Sequence, residues 1–349
     1  DFFPKLSLAY DSGAGNGPFG LGSSLSVPAI ARKTDKGVPE YRDEEDSDTY
    51  ILSGAEDLVP VLVEGEHGWG REVLSDPEYG DYRVERYRPR TEGLFARIER
   101  WRHRDSGDVF WRAITPDNVT SIYGRTAASR IADPADPTRV FEWLLERTYD
   151  DRGSLILYEY KQEDAAHVDG TKPQERNRLR NGATYANRYL KRIRYGNRIP
   201  HPEAQRARPF DASPNETPDD FYFEVALDYG EHPGDAPGPN ESTTTTWPLR
   251  PDPFSSYRAG FEIRTQRLCN RVLMFHRFPE LGPAPSLVRA TEFVYGAPAP
   301  DPDDDPPVTS YDPRPIATCL MSVTQSGYRW KDATSYVKRS LPPVELDYA

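Results

Sequence analysis

The chain has 349 residues, a formal net charge of −12 and a hydrophobic fraction of 36%. The acidic balance argues against a dedicated nucleic-acid binder, and no apolar run reaches the length of a membrane span. The 34 Pro and 25 Gly disfavour long helices, while 21 Tyr and a 12% aromatic content suit strands and exclude a disordered chain.

The chain opens at Asp1-Phe2-Phe3-Pro4 without a Met and reads as a fragment of a longer protein. Two short alternating runs, Leu6–Tyr10 and Leu25–Ile30, flank a stretch that holds Asp11, Gly13, Gly15, Asn16, Gly17, Pro18, Gly20 and Gly22. Glycine takes up positive φ without a Cβ clash, and Pro18 fixes φ and has no N–H, so this is a long shaped turn between strands. Gly15 to Gly20 also match G-x-G-x-x-G. A dinucleotide loop needs a helix opening at its second glycine, and the following Gly-Leu-Gly-Ser-Ser-Leu-Ser-Val-Pro favours none, so no cofactor is expected.

The segment 43–48 is acidic and exposed. Residues 49–62 read as strand, turn, strand, with Gly54, Glu56 and Asp57 in the tip of a short hairpin. From Tyr82 to Arg104 arginines alternate with aromatics and with Glu85, Glu92 and Glu99, which predicts cross-strand charge pairing on a solvated sheet face. Arg139–Tyr149 fits a helix or a strand equally. The turn Asp150-Asp151-Arg152-Gly153 and the run Leu155–Tyr160 favour a hairpin.

Residues 161–187 are polar and read as a loop. A basic cluster (Arg176, Arg178, Arg180, Arg188, Lys191, Arg192, Arg194, Arg198) reads as a solvated face or a docking surface for an acidic neighbour. Pro-rich loops follow at 199–220, 231–253 and 296–307. The first marks a possible subdivision of the chain, and the prolines of the third disrupt calcium-loop spacing. Residues 259–269 and 271–278 predict a strand pair turned near Asn270. Short runs ending in Tyr10, Tyr160, Tyr195, Tyr229, Tyr295 and Tyr348 recur at irregular spacing, as expected of many antiparallel strands closed by a ring at the sheet rim.

Signals for chemistry are thin. The six histidines are scattered without a metal-binding spacing, no G-x-S-x-G occurs, and Cys269 and Cys319 are too few for a disulfide framework or a zinc site. Acidic residues abound, but nothing selects a carboxylate pair. The residues alone define a soluble β-rich structural or binding module, with no catalytic, cofactor-binding or metal residue expected.

Pro4–Gly22 closely resembles the opening of the SpvB/TcaC N-terminal domain family, which includes the Salmonella virulence plasmid B protein and the B components of bacterial insecticidal toxin complexes. Ala29–Gly37, Leu52–Pro60, Ser256–Thr265 with Arg271–His276, Ser322–Tyr328 and Leu341–Glu345 resemble later blocks. One departure is Ser23, where the family usually has Trp.

The resemblance implies an all-β fold of hairpin-rich, mainly antiparallel curved sheets with few short helices. It implies one domain over residues 1–349, with Tyr10–Gly22, Gly54, Glu56 and Asp57 as its structural signature. It also implies a secreted scaffold without catalysis. Such a scaffold would supply strands to a hollow shell that encloses a toxic segment, with the C component and the pore-forming A component as partners. It would make no direct membrane insertion. The Tyr149–Gly153 turn resembles the tyrosine–aspartate repeats of such shells. Two alternatives are a glycan- or cell-surface-binding module using exposed Tyr, Trp69 and Trp247, and part of an ADP-ribosylating effector. For the latter, Glu64-Gly65-Glu66 and Ser242-Thr243-Thr244 stand in the wrong order.

Overall fold

A computed structural model describes residues 2–53, 57–65, 68–74, 79–180, 184–202, 220–234, 236–241, 247–282, 285–296, 317–332 and 334–348. The N-terminal stretch forms β1 (Leu8–Tyr10), β2 (Asn16–Gly17), β3 (Gly20–Leu21) and β4 (Ser23–Leu25). Next come β5 (Ala29–Arg32), β6 (Tyr50–Leu52), β7 (Asp57–Pro60), β8 (Leu62–Gly65), β9 (Gly68–Arg71), β10 (Val73–Leu74), β11 (Tyr82–Pro89), β12 (Arg97–His103), β13 (Val109–Ile114) and β14 (Thr120–Tyr123). Then follow β15 (Arg130–Asp133), β16 (Asp136–Tyr149), β17 (Leu155–Gln162), α1 (Pro173–Leu179), β18 (Arg188–Asn197) and β19 (Phe221–Asp228). The last strands are β20 (Phe254–Ser256), β21 (Ile263–Thr265), β22 (Arg271–His276), β23 (Ser286–Gly296), β24 (Cys319–Trp330), β25 (Tyr336–Ser340) and β26 (Val344–Glu345). The fold is all-β and its pairings are antiparallel. No helix among the described residues is long and apolar enough to cross a membrane.

Eight strands close on themselves. The circuit runs β5–β6–β7–β11–β12–β13–β14–β16 and returns from β16 to β5. Closure removes the open edges that a sheet otherwise exposes. Alternation then sends Ile30, Tyr50, Leu58, Tyr87, Ile98, Trp111, Tyr123 and Trp143 into one core. The opposite face of the β11–β14 sheet carries a second cluster built on Val84, Trp101, Phe110 and Ile122. From β16 the sheet continues outward through β17, β18, β19, β22, β23 and β24, which β25 and β26 flank.

The barrel interior also holds charge. Arg32, 1% exposed, bonds Asp43 at 2.7 Å and Asp48 at 2.6 Å, and its Nε donates to the Val140 carbonyl. Arg100 pairs with Asp43 at 3.1 Å and Glu85 at 3.4 Å and lies over the Tyr50 ring. The cross-strand pairing expected for 82–104 is therefore partly right and wrongly placed. Arg100 and Glu85 face each other inside the closed barrel, and Glu99 with Arg112 is buried on its outer side. Closure turns a face that looked solvated into an interior.

Other expectations change for equally local reasons. The 50–52/57–60 hairpin forms as read, while Gly54 and Glu56 lie outside the described residues. Residues 136–162 form the predicted hairpin. The polar stretch 161–187 contains α1, started by Pro173 and held by Glu175 to Arg178. The pair predicted around Asn270 does not form. β21 pairs with β20 and β22 with β19 and β23, because Arg264 and Arg267 draw residues 263–267 onto Glu175 and Glu163.

The tyrosines that end strands do not line a wet rim. The hydroxyls of Tyr160, Tyr229, Tyr295 and Tyr348 donate to the carbonyls of Leu145, Leu190, Cys269 and Leu320. A phenol can be buried when its OH is satisfied, so each ring staples one segment to another. Tyr10 alone of the set is largely exposed, at 56%, and its ring meets Tyr348 edge-on.

Candidate functional site: the glycine clasp and the adjoining cleft

The glycine stretch is a double hairpin. Tyr10 pairs with Ser23 at the end of the outer ladder, and Asn16–Gly17 pair with Gly20–Leu21 inside it. Asp11 shapes its entry by accepting from the Gly13 N–H at Oδ1 and from the Ala14 N–H at its carbonyl. Gly22 N–H donates to Gly15, and Asp11 N–H to Gly22. These backbone donors are spent within the turn.

The inner hairpin is fastened to segments more than 200 residues away in sequence. Asn16 Nδ2 donates to Asp252 at 2.9 Å, Arg250 donates to Asn16 Oδ1 at 2.7 Å, and a second Arg250 nitrogen reaches the Gly17 carbonyl at 2.9 Å. Asp252 also accepts from the Thr318 N–H and hydroxyl. Leu21 N–H donates to the Thr318 carbonyl, and Cys269 N–H to that of Pro18. Burial pushes the Asp252 carboxyl up, but bonds from Arg250, Thr318 and Asn16 outweigh it and hold it below its ordinary value. The result is a clasp joining the chain's first strands to the 247–270 region and the start of β24.

Two glycines are sterically required. Gly20 has φ +88° and a Cβ there would meet the Thr318 carbonyl at 2.8 Å; Gly22 has φ +71° and a Cβ would meet the Tyr10 ring at 2.6 Å. Gly13 and Gly17 have neither positive φ nor a contact closer than 3.4 Å, and Gly15, at φ +78°, faces open space. Phe19 fills the core against Phe293, and Ser23, in the place of the family's usual Trp, is buried. Asp57 reaches Lys33 at 2.7 Å and Arg90 at 3.3 Å. Of these expected signature residues, the described ones lie in the clasp and, for Asp57, on β7. Arg250, Asp252 and Thr318 were missed because they stand in or after proline-rich stretches that read as loops.

Beside the clasp lies a cleft of about 630 Å³, lined by its residues 14–19 and by Leu25, Val27, Glu142, Leu144 and Arg188 among others. Glu142 stands on β16 opposite Ala31, on the outer side of the barrel wall. Burial alone pushes its carboxyl up to about 7. Arg188 lines both this cleft and a neighbouring one of about 590 Å³ beside Trp143 and Arg130. Among the described residues its guanidinium donates to the Ala186 and Asn187 carbonyls, at 3.5 and 3.3 Å, and burial lowers its pKa.

Of the rest of the basic cluster, Arg176 and Arg180 are exposed at α1, while the other five are held by carboxylates. Arg178 pairs with Glu175 and Glu262, Lys191 with Glu231, Arg192 with Glu224, Arg194 with Glu159, and Arg198 with Asp220. The glycan-surface reading loses Trp247, which is 1% exposed between Lys161 and Arg267; Trp69 is exposed on the β8–β9 hairpin. Cys269 and Cys319 are both free and buried. No cluster of His, Cys, Asp and Glu suited to a metal ion occurs among the described residues.

The closed barrel, the strands fanning from it and the clasp define an all-β domain, and solved structures similar to it make it a toxin-complex-related one. The N-terminal domain of effector protein SpvB from Salmonella typhimurium strain LT2 superposes with a TM-score of 0.76 at 34% identity, over 94% of this chain and 95% of that one. The TcdB2-TccC3 crystal structure matches with a TM-score of 0.75 at 33% identity, over 99% of this chain and 15% of that chain. The model of the Salmonella virulence plasmid 65kDa B protein family (SpvB) matches residues 1–278, and the chain belongs to that family.

Among curated relatives, the Mono(ADP-ribosyl)transferase SpvB of Salmonella typhimurium strain 14028s is 37% identical over 337 residues, covering 94% of this chain and 52% of the relative. The chain thus spans about half the length of the curated relatives it matches. Their name corrects the expectation of a protein without catalysis. The blocks that carry the resemblance are turns and strand ends, and they hold no information about chemistry borne elsewhere in a longer chain.

Proposed function

We propose that residues 1–349 act as one SpvB-type N-terminal domain, with the glycine clasp and the β6–β7 hairpin as its structural signature. In this reading the domain supplies strands to a secreted toxin-complex shell that encloses and delivers a toxic partner segment. The partners would be a C component and, through the rest of the chain, a pore-forming A component. The observation that carries the reading is the match of 99% of this chain to the TcdB2-TccC3 structure, where it corresponds to 15% of a much larger chain. A closed barrel flanked by a long antiparallel sheet fits a wall element, because it buries one face and presents strands for extension. The test is to co-purify the full-length protein with its C-type partner and treat the complex with protease. A shell leaves the toxic segment intact until the complex is opened. Failure to co-purify, or immediate digestion of that segment, refutes the role.

A second reading rests on the curated relatives. In it the chain is the N-terminal half of an ADP-ribosylating effector, and the domain serves delivery of a transferase borne by the rest of the protein. Label transfer from radiolabelled NAD to host-cell protein by the full-length protein supports this reading, and its absence removes it.

A further inference from the structure

Charged side chains in this molecule are paired almost wherever they are buried, and the cleft beside the clasp departs from that habit. Glu142 sits in a wall of Ala29, Ile131 and Leu144 and has no hydrogen-bond or ion-pair partner among the described residues. Arg188 lines the same cleft and has no carboxylate partner among them. Both side chains are half-buried, and two unpaired charges of opposite sign face one cavity. No hydrogen bond or ion pair joins the two among the described residues, so each presents its charge to the cleft. The volume, about 630 Å³, lies in the range of small-ligand sites, and Leu25 and Val27 add apolar surface between the polar groups.

We propose that this cleft binds a short zwitterionic peptide, with the ligand's carboxylate on Arg188 and its ammonium on Glu142. The inference is independent of the shell role. A guanidinium recognises a carboxylate through two parallel N–H bonds, which a lone amide or hydroxyl would not reproduce. A peptide of three residues extends over about 10 Å, enough to join groups that do not touch each other. Exposed Arg258 stands at the edge of the cleft. The other ionisable groups lining it are Tyr160, Tyr189 and Tyr229, and burial holds all three well above the neutral range. Of the groups lining the cleft, Glu142 is the one raised to about 7, and its ionised form receives an ammonium until the peptide's own amine loses its proton at about pH 8.

The test is isothermal titration of the full-length protein with triglycine, trialanine and trileucine, each also with an acetylated N-terminus or an amidated C-terminus. Saturable binding of at least one free peptide is expected, weakened tenfold or more by blocking either end. Its affinity should rise from pH 6 to pH 8. Glu142→Gln should abolish the pH dependence and Arg188→Met should weaken binding at least tenfold, both with unchanged circular dichroism. Three results overturn the assignment: no saturable heat from any of the peptides at 10 mM, equal binding by both variants and the wild type, or dependence on one end alone.

Discussion

The barrel interior and the cleft treat charge in opposite ways. Inside the barrel, Arg32 and Arg100 are almost fully enclosed, yet each meets carboxylates within 3.5 Å and lies over the Tyr50 ring. On the outer side of the same wall, Glu142 of β16 and, beyond it, Arg188 of β18 line an open volume and meet no opposite charge among the described residues. Matched burial marks structure, since removing either partner strands the other. A half-buried charge without a partner strands nothing when it is removed, and it is open to a ligand of opposite charge.

The largest expected effect breaks the matched side. Arg32→Met strands Asp48, leaves Asp43 with Arg100 as its one cation, and should lower unfolding stability by about 3 kcal/mol in denaturant titrations. A loss below 1 kcal/mol would mean that the network is solvated after all.

The clasp tests the same distinction sterically. Gly20→Val and Gly22→Val each combine positive φ with a clash and should cost about 2–4 kcal/mol; Gly15→Val, strained but unobstructed, about 1–2; and Gly17→Val about 0.5 or less. Equal losses at Gly17 and Gly20, read from melting curves, would contradict this geometry.

The cleft should respond with the opposite sign. The Glu142 carboxyl is raised from 4.5 to about 7, so the native state binds the extra proton and stability falls as pH rises between those values. Glu142→Gln removes that loss. It should stabilise the protein by roughly 2 kcal/mol at pH 8 and leave it unchanged at pH 4, as measured by unfolding at both pH values. A destabilised variant at pH 8 would show that the carboxylate has a native partner.

The smallest effect lies at the acid end. Burial raises the Asp43 carboxyl, but Arg32 and Arg100, with the Tyr50 hydroxyl, hold it at about 2 against an ordinary 3.8. Its contribution is present above about 3.8 and lost as pH falls through about 2. In Asp43→Asn that acid limb should flatten. An unchanged limb would assign acid sensitivity to other carboxylates.

The local grammar was legible in the sequence. Proline and glycine density, the turn at Asp150–Gly153 and alternation in 155–160 specify hairpins, because turn chemistry and period-two patterning act over a few residues. So was the family, through the ordered blocks from Pro4 to Glu345. What tertiary structure alone decided is which face of each strand became interior. Closure of β16 onto β5 placed Arg100 and Glu85 inside a barrel, and the clasp brought Asn16 to Arg250 and Asp252. It also left Glu142 facing a cavity while Trp143, its neighbour, fills the core. A sequence sets how residues alternate along one strand. Some partners of a buried charge stand a hairpin away, as for Glu85 and Arg100, and others more than 100 residues away, as for Glu163 and Arg267, so which face is interior is settled only when the sheet closes.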